Sequence, residues 1–410
     1  MPPASPRSGG EPDPQPSSSR FSRSAGVVTS NGGAEDRRRG RHYLDHASTS
    51  PCRPEAIEVM LPWLASAGDP GRVHAEGHAA RVAVEVAREQ VAALLGARPR
   101  EVVFTSGGTE AAVTATWMAT ERGDHVVVPA VEHSCVREAS ARHRMSVVGV
   151  DGRGRVDPDA VMAALQPSTV LVHLQWGNHE VGTLQPVAEV VARCRERGVL
   201  THVDACAAAG QVHLDFRALG ADLLSVSAHK LGGPPGVGAL CVRRGLRLRP
   251  LLVGGDQERA RRAGHENVPA IVGFGRVAEH LSGPALATEA ALSRRRTERV
   301  VAAVDEGRLG AGTEVLGDSD ARLPHLVCLG LAGVEAEPVL LGLDRAGMAV
   351  HSGSSCSSEA LEPSPVLEAM GLDASRTLRV SVGWSSTDAD VDALLDALPV
   401  VIDRLVALAT

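Results

Sequence analysis

From Glu101 onward the chain alternates short apolar runs with helical stretches, and that alternation restricts the fold more than any other feature. EVVFT, HVVVPA, VLVHLQW, LTHVDA and DLLSVSA read as strands, and residues 136–143, 158–165 and 186–197 carry helical spacing between them. The repetition predicts an α/β fold whose sheet is mainly parallel and covered on both faces. Ligands of such sheets bind at the carboxyl ends of the strands. Five polar clusters fall there: Thr105 to Thr109, Glu132 with His133, Asn178 to Glu180, Asp204, and Ser227 with His229 and Lys230. After about Gly275 the alternation weakens. A charged helix near residues 284–309 leads to strands near HLVCLGL, GMAVHSG and RTLRVSVG, with helices near 338–346 and 388–408. This part reads as a smaller α+β domain at the C-terminal side.

Ahead of the alternation, residues 1–40 are Pro, Ser, Gly and Arg with little apolar content, which predicts a disordered tail. YLDHASTSP reads as a short strand and turn, Pro54–Leu64 as a helix, GDPGRVHAEG as a loop and residues 79–95 as a long helix. His74 and His78 are spaced like a metal pair, but Gly77 interrupts them and no third ligand is near, so no metal site is expected. The expected organisation is a tail at 1–40, a large cofactor-binding domain at 52–275, and a small domain built from 41–51 and 276–410.

Composition closes off several classes of function. A net charge of −7 gives no footprint for nucleic acid, and no apolar run approaches the roughly 18 residues that span a bilayer. The seven cysteines are odd in number and form no CxxC pair, which excludes a disulfide framework and a zinc site and suits a reducing cytoplasm.

One residue stands out against this background. Lys230, in SVSAHKLGGPPGVG, is the only lysine; every other one of the 42 basic residues is arginine. Arginine replaces lysine as a solvated charge but not as a nucleophile, because guanidinium stays protonated. A lysine at a strand end can bond an aldehyde cofactor as a Schiff base. SGGTEA offers backbone N–H groups at a helix start for a phosphate, through Gly108 and Thr109, and Ser227 and His229 could add contacts. Asp204 ends an apolar strand, where a carboxylate needs a cationic partner such as a protonated pyridine nitrogen. Together these are the requirements of pyridoxal phosphate, although a leftover lysine or a purely structural glycine turn remains the alternative for each one alone.

Two further residues carry chemistry. Cys356 lies in HSGSSCSSEALEPSP without apolar neighbours, as expected of an exposed nucleophilic thiol, with a solvent-facing bystander as the alternative. The other six cysteines lie in or beside apolar segments and read as inert core residues. Arg379, in RTLRVSVG, could grip a substrate carboxylate bidentately or serve as a surface ion-pair residue.

YLDHAST, FTSGGTE, VEHS, NHEVGT, HVDA, SAHKLGGPPGVGALCVRR, HSGSSCSSEALEPS and LRVSVGWSSTDADVD, in this order, resemble the cysteine desulfurases of the class V aminotransferase family, over residues 42 to about 405. The resemblance implies the fold type I architecture of pyridoxal-phosphate-dependent transferases and a homodimer. It implies that Lys230 holds the cofactor and moves the substrate's Cα proton, that His133 stacks on the pyridine ring and joins in proton transfer, and that Asp204 pairs with the ring nitrogen. Thr109, Ser227 and His229 would bind the phosphate and Arg379 the carboxylate of L-cysteine. Cys356 would take the sulfur as a persulfide, leaving L-alanine, and pass it to a sulfur-acceptor protein. The serine-rich cysteine loop resembles the subgroup that feeds iron–sulfur assembly and tRNA thiolation. The chain departs from the family pattern at the cofactor. His179 stands where asparagine is usual, Ala207 where glutamine bonds the ring hydroxyl, and His265 where a threonine reaches the partner's phosphate; Asp69 stands where an Asn-Pro pair is common. A lost hydrogen bond to a charged group costs about 1.5–3 kcal/mol, so altered cofactor affinity or ring electronics is expected. The departures leave open a related pyridoxal enzyme (a selenocysteine lyase, a C–S lyase or a sulfur donor for a specialised pathway) and a non-enzymatic scaffold.

Overall fold

A computed structural model describes residues 40–247, 249–310, 312–353 and 363–409. The expected tail, except Gly40, and Cys356 lie outside the described residues. Strand β1 (His42–Tyr43) precedes the helices Pro54–Leu64 and Ala75–Leu94. Then follow β2 (Val102–Thr105), β3 (His125–Pro129), β4 (Arg144–Val148), β5 (Thr169–Gln175), β6 (Leu200–Asp204), β7 (Leu223–Ser227) and β8 (Gly238–Val242). These seven form one sheet in the order β2-β8-β7-β6-β5-β3-β4. Neighbours from β7 to β4 run parallel, while β8 is antiparallel to both β7 and β2. The mainly parallel sheet expected from the alternation is therefore present.

Continuous apolar strands such as β3, β7 and β8 are buried at every residue, as a sheet covered on both faces requires. On one face the helix Gly108–Ala119 buries Ala111, Ala112, Ala115 and Met118 against the sheet, the small side chains allowing close approach. The other face packs on the helices Ala75–Leu94, Val187–Glu196 and Val268–Leu281.

A second sheet has the order β12-β13-β10-β9, from β9 (Glu314–Leu316), β10 (Leu326–Gly330), β12 (His351–Ser352) and β13 (Thr377–Ser381), all antiparallel. Its core joins Leu44, Val327, Leu329, Leu378 and Val380 to residues of the helices Ala285–Asp305, Ala336–Arg345 and Asp388–Ala409. β1 pairs in parallel with β11 (Met348–Ala349), so the chain's first ordered strand sits among C-terminal elements.

Three local differences from the sequence reading have physical causes. β4 gives a weak apolar signal because it is the sheet's edge, half polar and opened by Arg144. The long helix starts at Ala75, within the expected loop, because the His74 side chain accepts from Gly77 N and caps it. That capping, with a 3.0 Å contact to Glu76, occupies the first member of the apparent metal pair. Finally, Val268–Leu281 runs unbroken through residue 275, and Leu281 packs in the large sheet's core. Among the described residues no helix is long and apolar enough to cross a membrane.

Candidate active site

Five strands of the large sheet deliver side chains to one cavity, lined by Gly108, Thr109, His133, Cys135, Gln175, Gly177, His179, Asp204, Cys206, Ala207, Ser227, His229 and Lys230. The register explains the convergence. Gln175 is the β5 partner of Asp204, which is the β6 partner of Ser225, so β5 and β6 end level with one another and β7 runs two residues further, to Ser227. Each run ends on this side of the sheet and brings its polar residues to the cavity.

Lys230 stands on a single 3-10 turn, Ala228–Leu231, directly after β7. Gly232 closes that turn with a φ of 83°, which only glycine adopts at little cost. A Cβ there would lie 2.8 Å from Arg53 Cγ and from Trp384 Nε1. The backbone is pinned from the N-terminal side, since Ser50 N–H donates to His229 O at 2.9 Å and the Ser50 hydroxyl to Lys230 O at 3.2 Å. His229 meets the Thr49 hydroxyl at 3.1 Å, and burial, then Lys230, lowers its ring pKa to about 4, so it is neutral at pH 7.

Opposite, the helix Gly108–Ala119 points its N-terminus at the cavity, and a Cβ on Gly108 would collide with the Cys206 sulfur. Its unsatisfied N–H groups suit an anion. Asp204 accepts from Cys206 N–H at 2.9 Å and from the Ser225 hydroxyl at 3.2 Å. Burial pushes its carboxyl up, but His202 and the donors at Cys206 outweigh it, leaving Asp204 below the usual carboxylate range. His133 is the N-cap of the helix Ser134–Ser140. Its Nδ1 accepts from Cys135 N–H at 3.1 Å, which fixes the ring, and the His179 ring centroid lies 5.1 Å away. An anion site, a carboxylate poised for a cation, two imidazoles and a primary amine share the cavity. That donor set fits pyridoxal phosphate, whose phosphate, ring nitrogen and aldehyde need these groups.

Two expected residues lie off the cavity wall. Arg379, 1% exposed, donates from Nη1 to His179 O at 2.9 Å and from Nη2 to Asp45 at 2.8 Å and Ser48 at 2.6 Å. It adjoins the site through His179 and is held by Asp45, rather than being a surface ion-pair residue. His265 is exposed, with Asp69 and Glu266 as its electrostatic neighbours. Asp69 itself organises a turn, accepting from Gly71 N–H at 2.8 Å and Arg72 Nε at 3.0 Å.

The sequence reading missed Gln175, Gly177, Cys135 and Cys206. Cys135 and Cys206 correct the expectation that all six are core residues, because both line the cavity. Each follows a site residue by two positions, which was the available signal. Neither burial nor Asp204 favours a thiolate at Cys206, whose pKa stands well above the ordinary thiol value. Burial likewise raises Cys194 and Cys328 to about 12.

A family model described as aminotransferase class-V matches residues 42–394. A curated cysteine desulfurase of Trichormus azollae is 40% identical over 383 residues, covering 89% of this chain and 94% of that protein. Among solved structures, a NifS-like protein from Rickettsia africae superposes with a TM-score of 0.82 at 26% identity, over 88% of this chain and 99% of that one. A structure titled SspA in complex with cysteine gives a TM-score of 0.74 at 28% identity, over 84% and 100%.

Proposed function

The chain belongs to the class V aminotransferase family, and within it we propose that it is a pyridoxal-phosphate-dependent cysteine desulfurase, converting L-cysteine to L-alanine. The observation that carries this reading is the meeting of Lys230, Asp204, His133 and the helix start at Gly108–Thr109 around one cavity. Bound pyridoxal phosphate supplies an electron sink for the carbon that loses its proton. Lys230 would hold the cofactor's aldehyde and move the Cα proton of the substrate. Asp204 would hold the ring nitrogen as a cation. His133, its ring fixed by Cys135 N–H, would help hold the cofactor and serve in proton transfer. Gly108, Thr109, Ser227 and His229 would take the phosphate, and His179 would help hold the cofactor. Arg379 takes the substrate carboxylate after exchanging it for Asp45. Cys356 receives the sulfur: the substrate's C–S bond breaks, an S–S bond forms, and the carbon left behind takes a proton to become alanine. The persulfide then passes to an acceptor protein, in the chemistry that serves iron–sulfur assembly or tRNA thiolation. The protein acts as a homodimer in the cytoplasm, with exposed His265 directed to the partner's phosphate site.

The test begins with the visible spectrum of the purified protein, with and without added pyridoxal phosphate. A cofactor band present in wild type and lost in Lys230→Ala is expected. Cysteine should then yield alanine with a persulfide trapped on wild type but not on Cys356→Ser. No band after cofactor addition would overturn the reading and leave the scaffold alternative.

A further inference from the structure

The guanidinium of Arg379 is almost closed to solvent, yet one of its donors is unused. Nη1 donates to His179 O at 2.9 Å, and Nη2 donates both to Asp45 Oδ1 at 2.8 Å and to Ser48 Oγ at 2.6 Å. Among the described residues Nε is buried with no hydrogen-bond partner. A buried N–H left unpaired is costly, so a fold that keeps one needs a reason, such as an acceptor that arrives from outside.

A carboxylate grips a guanidinium along one edge, through Nε and Nη2 or through Nη1 and Nη2. Both edges run through Nη2, and Asp45 and Ser48 take both of its hydrogens. One of the two has to leave before an incoming carboxylate gains a two-point grip. Charge selects Asp45. Were it to stay, two carboxylates would crowd one buried cation, each disfavouring the other's charge. Ser48 is neutral and can remain. Asp45 is also placed to let go. Its side chain is 16% exposed against 1% for Arg379, so water reaches the carboxylate once the cation is lost. Its backbone is pinned, because Asp45 O accepts from the Tyr43 hydroxyl and from Ser48 N–H, both at 3.2 Å. The exchange is therefore a side-chain rotation, and it leaves Ser50, later in the same turn, on His229 O and Lys230 O.

We propose that Asp45 is a specificity-determining residue: a built-in competitor that holds the Arg379 guanidinium until a ligand carrying its own carboxylate takes it over. The proposal rests on the reading of Arg379 as the substrate's carboxylate site. A ligand without that charge gives the guanidinium nothing in exchange for Asp45 and stays outside the fork. The same competition holds the affinity for amino acids below what the buried cation alone would give, which limits the grip on cysteine and on the alanine that has to leave.

The experiment uses the full-length protein and titration calorimetry with propionate, a probe that carries a carboxylate but no amine and needs no turnover. Asp45→Asn keeps the shape and a neutral acceptor but removes the competing charge. Propionate should bind it about tenfold more tightly than wild type, the low end of what a charge-assisted hydrogen bond is worth, and the KM for cysteine should fall by a similar factor. Tightening is the sign that a merely structural role cannot produce, since damage to the turn weakens binding. Propionamide should bind neither protein, and Arg379→Lys should lose the propionate signal. Ser48→Ala, which removes the neutral occupant of Nη2, should not tighten propionate. Unchanged or weaker propionate binding by Asp45→Asn overturns the proposal. So does tighter binding by Ser48→Ala, a result that decides the matter even if Asp45→Asn fails to fold. Tighter propionate binding by Asp45→Asn in a protein that shows no cofactor band overturns the pyridoxal phosphate reading, and with it the link to cysteine, while the competition at Arg379 stands.

Discussion

Arg379 reaches the site already engaged, its guanidinium shared between Asp45, Ser48 and the carbonyl of His179. A substrate carboxylate must displace Asp45 to gain the fork. Arg379→Lys keeps a cation for Asp45 but cannot present two parallel donors. It should raise the KM for cysteine about ten- to a hundredfold, in line with ~1.5–3 kcal/mol for a charged hydrogen bond, and leave the cofactor's absorbance unchanged. An unaltered KM would remove Arg379 from substrate binding. Glu132, beside His133, carries a different signature. One of its oxygens accepts from Gln175 N–H at 2.5 Å and the other is buried without a partner. Burial, and then the charge of Asp204, raises its pKa from 4.5 to about 8. The folded protein therefore holds a proton that the unfolded chain has released. The stabilisation is complete below pH 4.5 and disappears as pH rises through about 8. Glu132→Gln still accepts from Gln175 and never ionises. Its Tm, measured against wild type across this interval, should gain steadily as pH rises, and a constant difference would show that Glu132 does not titrate there.

Elements place these residues through how they end rather than through what they contain. β5, β6 and β7 are largely buried and alike in character, so the chemistry lies in the last residue of each strand and the first ones beyond it. The turn after β7 shows how tightly such an end is built. Gly232 and Gly198 both have positive φ, 83° and 69°, but only at Gly232 would a Cβ meet other atoms. Gly198→Ala should cost only the backbone preference, about 1–2 kcal/mol. Gly232→Ala adds a collision with Arg53 and Trp384, so its urea midpoint should fall further than that of Gly198→Ala, and the cofactor band should weaken as Lys230 shifts. Equal midpoints would mean that the turn has room to relax.

Over the whole molecule, Arg53 ties the lysine turn to the elements after the large sheet. Its Nε donates to Leu231 O at 3.1 Å, its Nη atoms grip Glu289 at 2.9 and 2.5 Å, and its guanidinium lies 5.3 Å from the Trp384 ring centroid. Arg53 is 5% exposed while Glu289 is 23% exposed and keeps His280 at 3.1 Å, so Arg53→Ala, which removes charge-assisted hydrogen bonds from a mostly buried site, should cost about 1.5–3 kcal/mol in chemical denaturation. The exposed pair Arg295–Asp388 offers the contrast, with side chains 57% and 50% exposed. Arg295→Ala should change stability by less than about 1 kcal/mol. Similar losses for the two would show that burial does not set the scale here.

Periodicity alone was enough to read the parallel sheet, because buried strands must be apolar and the helices between them must be amphipathic. A single lysine, an aspartate at a strand end and a glycine turn before a helix were enough to name a cofactor chemistry, because few other side chains can perform it. What the linear order withheld was distance. That Cys206 and Gln175 share the cavity wall depends on strand register. That Arg379 is clasped by Asp45 depends on β1 joining elements some 300 residues away. That the buried His173 meets the Thr116 hydroxyl, 57 positions earlier, depends on a helix packing on the sheet. Local sequence dictates which groups a chain can offer, whereas burial and packing decide which of them meet, which way their protons face and how strongly each holds its charge.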